Sequence, residues 1–292
     1  MNPVSDSKFN QAEHIARALY DFFSEKEKPE LHPLLRKVLH QLVTLQMEKG
    51  RGFLTKDEMD EISDDPGRLN VVGKENENSP LVLSKAGRLY FRKYFEYELS
   101  IARFLTESAD SNDSSLLKDA ISSFEKNFGE LVDDYQSLAV GLGIIRNWIL
   151  LSGGPGTGKT RTLVVLISLL LEIKPELRIA MVAPTGKAAF RLQQSIDDTV
   201  NNLGLSKELV TRLSDLPKTS TIHRLLGVIP GSIDFRCNKS NPLPHDLVVV
   251  DEASMIDLPL MAKLFNAIKP SSNLILSGDA DQLSPVQGGG VF

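Results

Sequence analysis

The chain has 292 residues, room for one large domain or two of ordinary size, and its apolar share of 41% excludes disorder along the whole length. With 33 basic residues against 38 acidic ones, net -5, no global basic field announces a nucleic-acid partner. The balance is uneven. Residues 1–150 carry 19 Lys and Arg against 25 Asp and Glu, and residues 151–292 carry 14 against 13, so a polyanion meets less repulsion in the second half. A single cysteine, Cys237, excludes an internal disulfide, and the start MNPVSDSKFNQAEH lacks the basic head and apolar run of a secretory signal. The longest apolar run, Leu163 to Leu171 broken by Ser168, falls far short of the roughly 18 residues that span a bilayer. A soluble, reducing, cytoplasmic setting is expected.

Along the first hundred residues, Phe9 to Phe23, Leu31 to Met47 and Ala86 to Leu105 repeat apolar residues at three and four, the spacing of helices. The polar stretch Glu58 to Pro80 between them carries the turn signals DDPG and KENENSP. These features predict a small, mainly helical N-terminal domain over residues 1–108. The acidic segment ADSNDSS, residues 109–115, reads as a linker, and residues 116–292 form the second domain.

Beyond the linker the pattern changes. An amphipathic segment from Leu116 to Val140 precedes the strand candidate Trp148 to Ser152, a glycine-rich turn and the apolar-periodic Thr160 to Ile173. RIAMVAP at 178–184, DLVVVDE at 246–252 and NLILSGD at 273–279 are further buried-strand candidates, the last two each ending in a carboxylate. Strands alternating with helices predict an α/β fold with a parallel sheet flanked by helices, and ligands beyond the carboxyl ends of its strands.

Gly153-Gly154-Pro155-Gly156-Thr157-Gly158-Lys159-Thr160 fits the phosphate-loop pattern G-x-x-x-x-G-K-[ST] at every fixed position. Its glycines let backbone N–H groups turn inward, Lys159 would reach the β- and γ-phosphates, and the Thr160 hydroxyl would ligand Mg²⁺. The bland alternative is an ordinary glycine turn before a helix. Asp251 and Glu252 follow the run LVVV, where one carboxylate can hold Mg²⁺ and the other can activate water; alone they would be a solvated strand end. In Gly278-Asp279-Ala280-Asp281-Gln282-Leu283 the Gln282 amide could sense the γ-phosphate, unless the segment is only an Asx-type turn.

Thr185 and Lys187 in APTGKAA, and His223 and Arg224 in TIHRLL, look like contacts to a second polyanion, although a histidine beside leucines is more often structural. Gln136 is a surface glutamine unless a purine stacks near it. The cysteine and 5 histidines lack the spacing of a zinc site.

GGPGTGKT, APTGKAA, STIHRLLG, VVVDEASM and LSGDADQLSPV, in this order, resemble the first RecA-like motor domain of superfamily 1 DNA helicases, and within them the alpha-subunit family of bacterial exodeoxyribonuclease V. The helical region including YFRKYFEYELSIARFL resembles that family's N-terminal domain. The resemblance implies ATP-driven 5′ to 3′ unwinding of DNA in double-strand break repair and recombination, with Mg²⁺ and ATP, inside a complex with beta and gamma subunits. It implies an adenine contact at Gln136, ATP contacts along Gly153 to Thr160 and at Arg161, metal ligands at Thr160 and Asp251, and catalytic roles for Lys159, Glu252 and Gln282. Thr185, Lys187, His223 and Arg224 match segments that face single-stranded DNA. The sequence ends at Gly288-Gly289-Gly290-Val291-Phe292, where the family continues into a second RecA-like domain that carries an arginine finger. Such an arginine is worth on the order of 10³ to 10⁵ in rate, so the expectation is a chain that binds ATP but does not unwind DNA by itself. The alternatives are a non-catalytic assembly module or another P-loop ATPase, such as a remodelling motor of the AAA class.

Overall fold

The computed structural model describes residues 3–62, 64–108, 117–279 and 281; the expected linker at 109–115 and Gln282 lie outside the described residues. Among the described residues the chain forms two compact units, the first reaching to Ser100 and taking in Asp257–Ala262, the second holding Ile101–Ile256 and residues from Lys263 onward.

In the first unit, helices α1 (Pro3–Ser24) and α2 (His32–Lys49) pack together, and Leu35, Val38, Leu39 and Leu42 of α2 are fully buried. Gly50 stops α2 in the left-handed conformation, and its N–H caps the Leu45 carbonyl. A short α3 (Lys56–Asp60) starts on a capping box between Thr55 and Glu58.

The unit is mainly helical, as expected, but it also carries a sheet that periodicity did not reveal. Strands β1 (Phe53–Leu54), β2 (Val72–Gly73), β3 (Leu81–Leu83) and β4 (Leu89–Phe91) run in the order β1-β4-β3-β2. The helix expected from Ala86 therefore begins only at Arg92, as α4 (Arg92–Glu107). Gly87, at φ 70°, turns the chain so that Leu89 pairs with Leu83 and Tyr90 with Val82. Arg92 fastens the polar turn nearby by donating to the carbonyls of Ser79, Glu75 and Lys74 at 3.0, 3.0 and 3.1 Å.

The amphipathic segment ahead of the glycine loop is two helices, α5 (Leu117–Asn127) and α6 (Asp134–Ile145). A 3₁₀ turn at Gly129–Leu131 breaks them apart and Asp133 caps the second. From here the second unit alternates strands and helices: β5 (Trp148–Ser152), α7 (Lys159–Ile173), β6 (Ile179–Ala183), α8 (Gly186–Asn202), α9 (Lys207–Asp215), β7 (Ser220–Thr221), α10 (Ile222–Leu226), β8 (Leu247–Val250), α11 (Leu258–Ala267) and β9 (Asn273–Gly278). The five strands pair in parallel in the order β5-β9-β8-β6-β7.

Central strands β6 and β8 are buried at every position, which is why they read as unbroken apolar runs. Helix α7 is buried at every residue from Thr162 to Leu171, so packing surrounds it on all sides. No helix among the described residues is long and apolar enough to cross a membrane.

Candidate nucleotide and nucleic-acid site

The glycine loop leaves the C-terminal end of β5 and opens α7, with Lys159 and Thr160 as the first helical residues. Gly156 and Gly158 adopt φ 77° and 81°, a backbone that side chains disfavour. A Cβ built at Gly154 or Gly156 meets nothing within 4 Å, so the backbone there is open to an approaching ligand. Lys159 Nζ donates to the carbonyls of Gly153 and of Gly154, the latter at 3.0 Å, so the ammonium is held inside the loop. Thr157 Oγ1 donates to the Gly154 carbonyl at 2.9 Å.

Gln136 is brought to this loop. Its side chain completes the capping box of α6 with Asp133, and its Nε2 donates to the Thr157 carbonyl at 3.3 Å. A Cβ at Gly158 would collide with that amide. Gly158→Ala should therefore put a side chain into the left-handed region and push the Gln136 amide off the Thr157 carbonyl, destabilising the chain by about 1 kcal/mol, mostly through the backbone. Urea unfolding checks this; an unchanged midpoint would show that the loop has room to shift. Arg161 donates to the Leu131 carbonyl.

Two neighbouring strands bring in the carboxylates. Ser152 of β5 is level with Gly278 of β9, and Val250 of β8 is level with Leu276, so the loop, Asp251-Glu252 and Asp279 leave three adjacent strands at one end of the sheet. The Gly153 N–H donates to the Gly278 carbonyl at 3.2 Å and the Asp251 N–H to the Val182 carbonyl at 2.9 Å, which ties both turns to the sheet. Glu252 has φ 53° and is, among the described residues, the one non-glycine in the left-handed region. Such strain persists where the surrounding structure enforces it, commonly at functional sites.

Burial pushes the Glu252 carboxyl above its ordinary range, and the Asp251 carboxylate beside it adds to the shift. Lys159 opposes the shift, Asp279 reinforces it and Arg191 opposes it, so all four charges act on this one carboxyl. Asp279, only 6% exposed, and Arg191 belong to this cluster although the sequence reading did not select them. Asp279 was legible as a strand end; Arg191 depends on how α8 lies against the sheet. The hydroxyls of Ser254 and Ser277, next to Glu252 and Asp279 in sequence, are buried without a hydrogen-bond partner in the described structure.

The residues expected to meet a second polyanion lie at the next strand ends. Thr185 caps α8 by accepting from the Ala188 N–H at 3.2 Å, and Lys187 is exposed. Ala183 of β6 is level with Thr221 of β7, which caps α10 and leaves His223 and Arg224 exposed. His223 packs edge-on to Phe235, ring centroids 5.6 Å apart.

A glycine loop opening a buried helix, with acidic residues at the adjacent strand ends, defines a P-loop nucleotide-binding domain. A family model described as "AAA domain" matches residues 136–288, more than half of the chain, and the chain belongs to that family. Within it the chain is similar to RecD. It is 41% identical over 227 residues to the RecBCD enzyme subunit RecD of Haemophilus influenzae, covering 74% of this chain and 35% of that protein. Identity is 39% over 210 residues with RecD of Mycolicibacterium smegmatis, covering 70% and 36%. The ATP-dependent RecD2 DNA helicase of Deinococcus radiodurans is 30% identical over 236 residues, covering 76% and 28%. The chain spans about a third of the length of the curated relatives it matches. The names these relatives carry agree with the resemblance drawn from the motifs.

Proposed function

We propose that this chain is the ATP-binding part of a DNA helicase subunit that couples ATP hydrolysis to 5′ to 3′ unwinding in double-strand break repair and recombination. The observation that carries this reading is the convergence of Lys159, Asp251, Glu252 and Asp279 on the ends of three adjacent parallel strands. Relatives named as RecBCD subunits support partners of the beta and gamma type. The charge of residues 1–150, 19 basic less 25 acidic or -6, favours an additional docking role for the first half.

In this reading the loop N–H groups and the start of α7 hold the phosphates, and Lys159 exchanges its carbonyl partners for β- and γ-phosphate oxygens. Thr160 and Asp251 hold the Mg²⁺, which when bound draws negative charge from those oxygens. Glu252 orients the attacking water and accepts its proton. Gln136 contacts the adenine, and Gln282, outside the described residues, senses the γ-phosphate. Thr185, Lys187, His223 and Arg224 face single-stranded DNA, Lys187 and Arg224 through its phosphates.

Two measurements test this together. The full-length protein should hydrolyse ATP faster when single-stranded DNA is present, and a rate indifferent to DNA would leave a plain P-loop nucleotidase or a remodelling motor. In the chain itself, Lys187→Ala and Arg224→Ala should each lower the slope of log affinity against log salt by about 0.7, the value for one phosphate of a single strand. Unchanged slopes in both variants would remove these two residues from the DNA path.

A further inference from the structure

Helix α8 leaves the end of β6 with its rotation fixed. Ala189, Leu192, Ile196 and Val200 are buried, the Thr219 hydroxyl donates to the Ala189 carbonyl at 2.6 Å, and the Thr219 N–H donates to Gln193 Oε1 at 2.9 Å. That rotation sends residues 187, 190, 191 and 194 outward, and all four are exposed. Among them Phe190 is 63% exposed, with Lys187 one turn before it, Arg191 beside it and Gln194 one turn after. A phenyl ring held in water one turn from a lysine adds nothing to the core, yet the pair supplies both elements that single strands use: a flat π face and nearby positive charge. The register of Ala183 with Thr221 puts exposed His223 and Arg224 at the adjacent strand end.

We propose that Phe190 is a stacking platform for one base of single-stranded DNA, with Lys187, one turn before it on the same face of α8, taking a neighbouring phosphate. The inference rests on the DNA-binding reading above and adds to it a residue that reads bases rather than backbone. Stacking on an aromatic ring tolerates every base, so this contact would grip the strand without sequence preference.

Fluorescence anisotropy with a dT oligomer and an abasic sugar-phosphate oligomer of equal length tests it. Phe190→Ala should weaken binding of the dT oligomer on the order of tenfold, leave the abasic oligomer unaffected and keep the salt slope of the wild type. Phe190→Trp should retain the affinity, and its added fluorescence should be quenched by the dT oligomer. Equal losses on both oligomers, unchanged dT affinity in Phe190→Ala, or full affinity in Phe190→Leu would each overturn the stacking role. If the wild-type chain binds neither oligomer, the DNA-binding reading itself fails, which is distinguishable from loss of the Phe190 contact alone.

Discussion

Replacing Lys159 with alanine should weaken Mg-ATP binding about ten- to hundredfold by calorimetry, with little change in thermal unfolding. The ammonium is already inside the loop, donating to the carbonyls of Gly153 and Gly154. Exchanging those neutral acceptors for phosphate oxygens yields charge-assisted hydrogen bonds worth roughly 1.5 to 3 kcal/mol, and about 1.4 kcal/mol is a factor of ten. Folding loses less, because the loop is partly exposed and water can replace the lysine at both carbonyls. Equal affinity in the two proteins would remove the phosphate-loop assignment.

Glu252→Gln should abolish most hydrolysis by the full-length protein, about 10² to 10⁴ in rate, while sparing nucleotide affinity. The same substitution should stabilise the chain at neutral pH. Burial and the adjacent Asp251 raise the Glu252 carboxyl above its ordinary value of 4.5, so the folded chain holds this proton more tightly than the unfolded chain. Stability from this group is therefore full below pH 4.5 and is lost as the pH rises through the folded value. Gln carries no charge and keeps the same left-handed backbone, so the comparison isolates the carboxylate. Thermal scans of wild type and variant should agree below pH 4.5 and separate toward pH 7, with the variant higher. A variant that hydrolyses ATP normally, or that melts lower at neutral pH, would contradict the assignment.

The second unit was legible because a parallel sheet covered on both faces demands continuous apolar strands, and LVVV and LILSG satisfy that demand without helical spacing. Fixed chemistry at the strand ends made the loop and the acidic pair legible with it. The sheet of the first unit was not, because β1 and β2 are two residues long and Leu89–Phe91 sits in an apolar spacing that suits a helix equally well. Only the Gly87 turn and the pairing across it decide between the two. Arg191 and Phe190 were hidden for another reason: their roles follow from the roll of α8 about its axis, which hydrogen bonds from Thr219 fix and which the local sequence does not express.

The close-packed surroundings of α7 have a mechanical corollary. A helix with no free side is a stator, since interiors of crystal-like density transmit strain rather than absorb it. In the proposed motor, a stroke would then leave α7 in place and fall to the exposed turns that follow the strand ends.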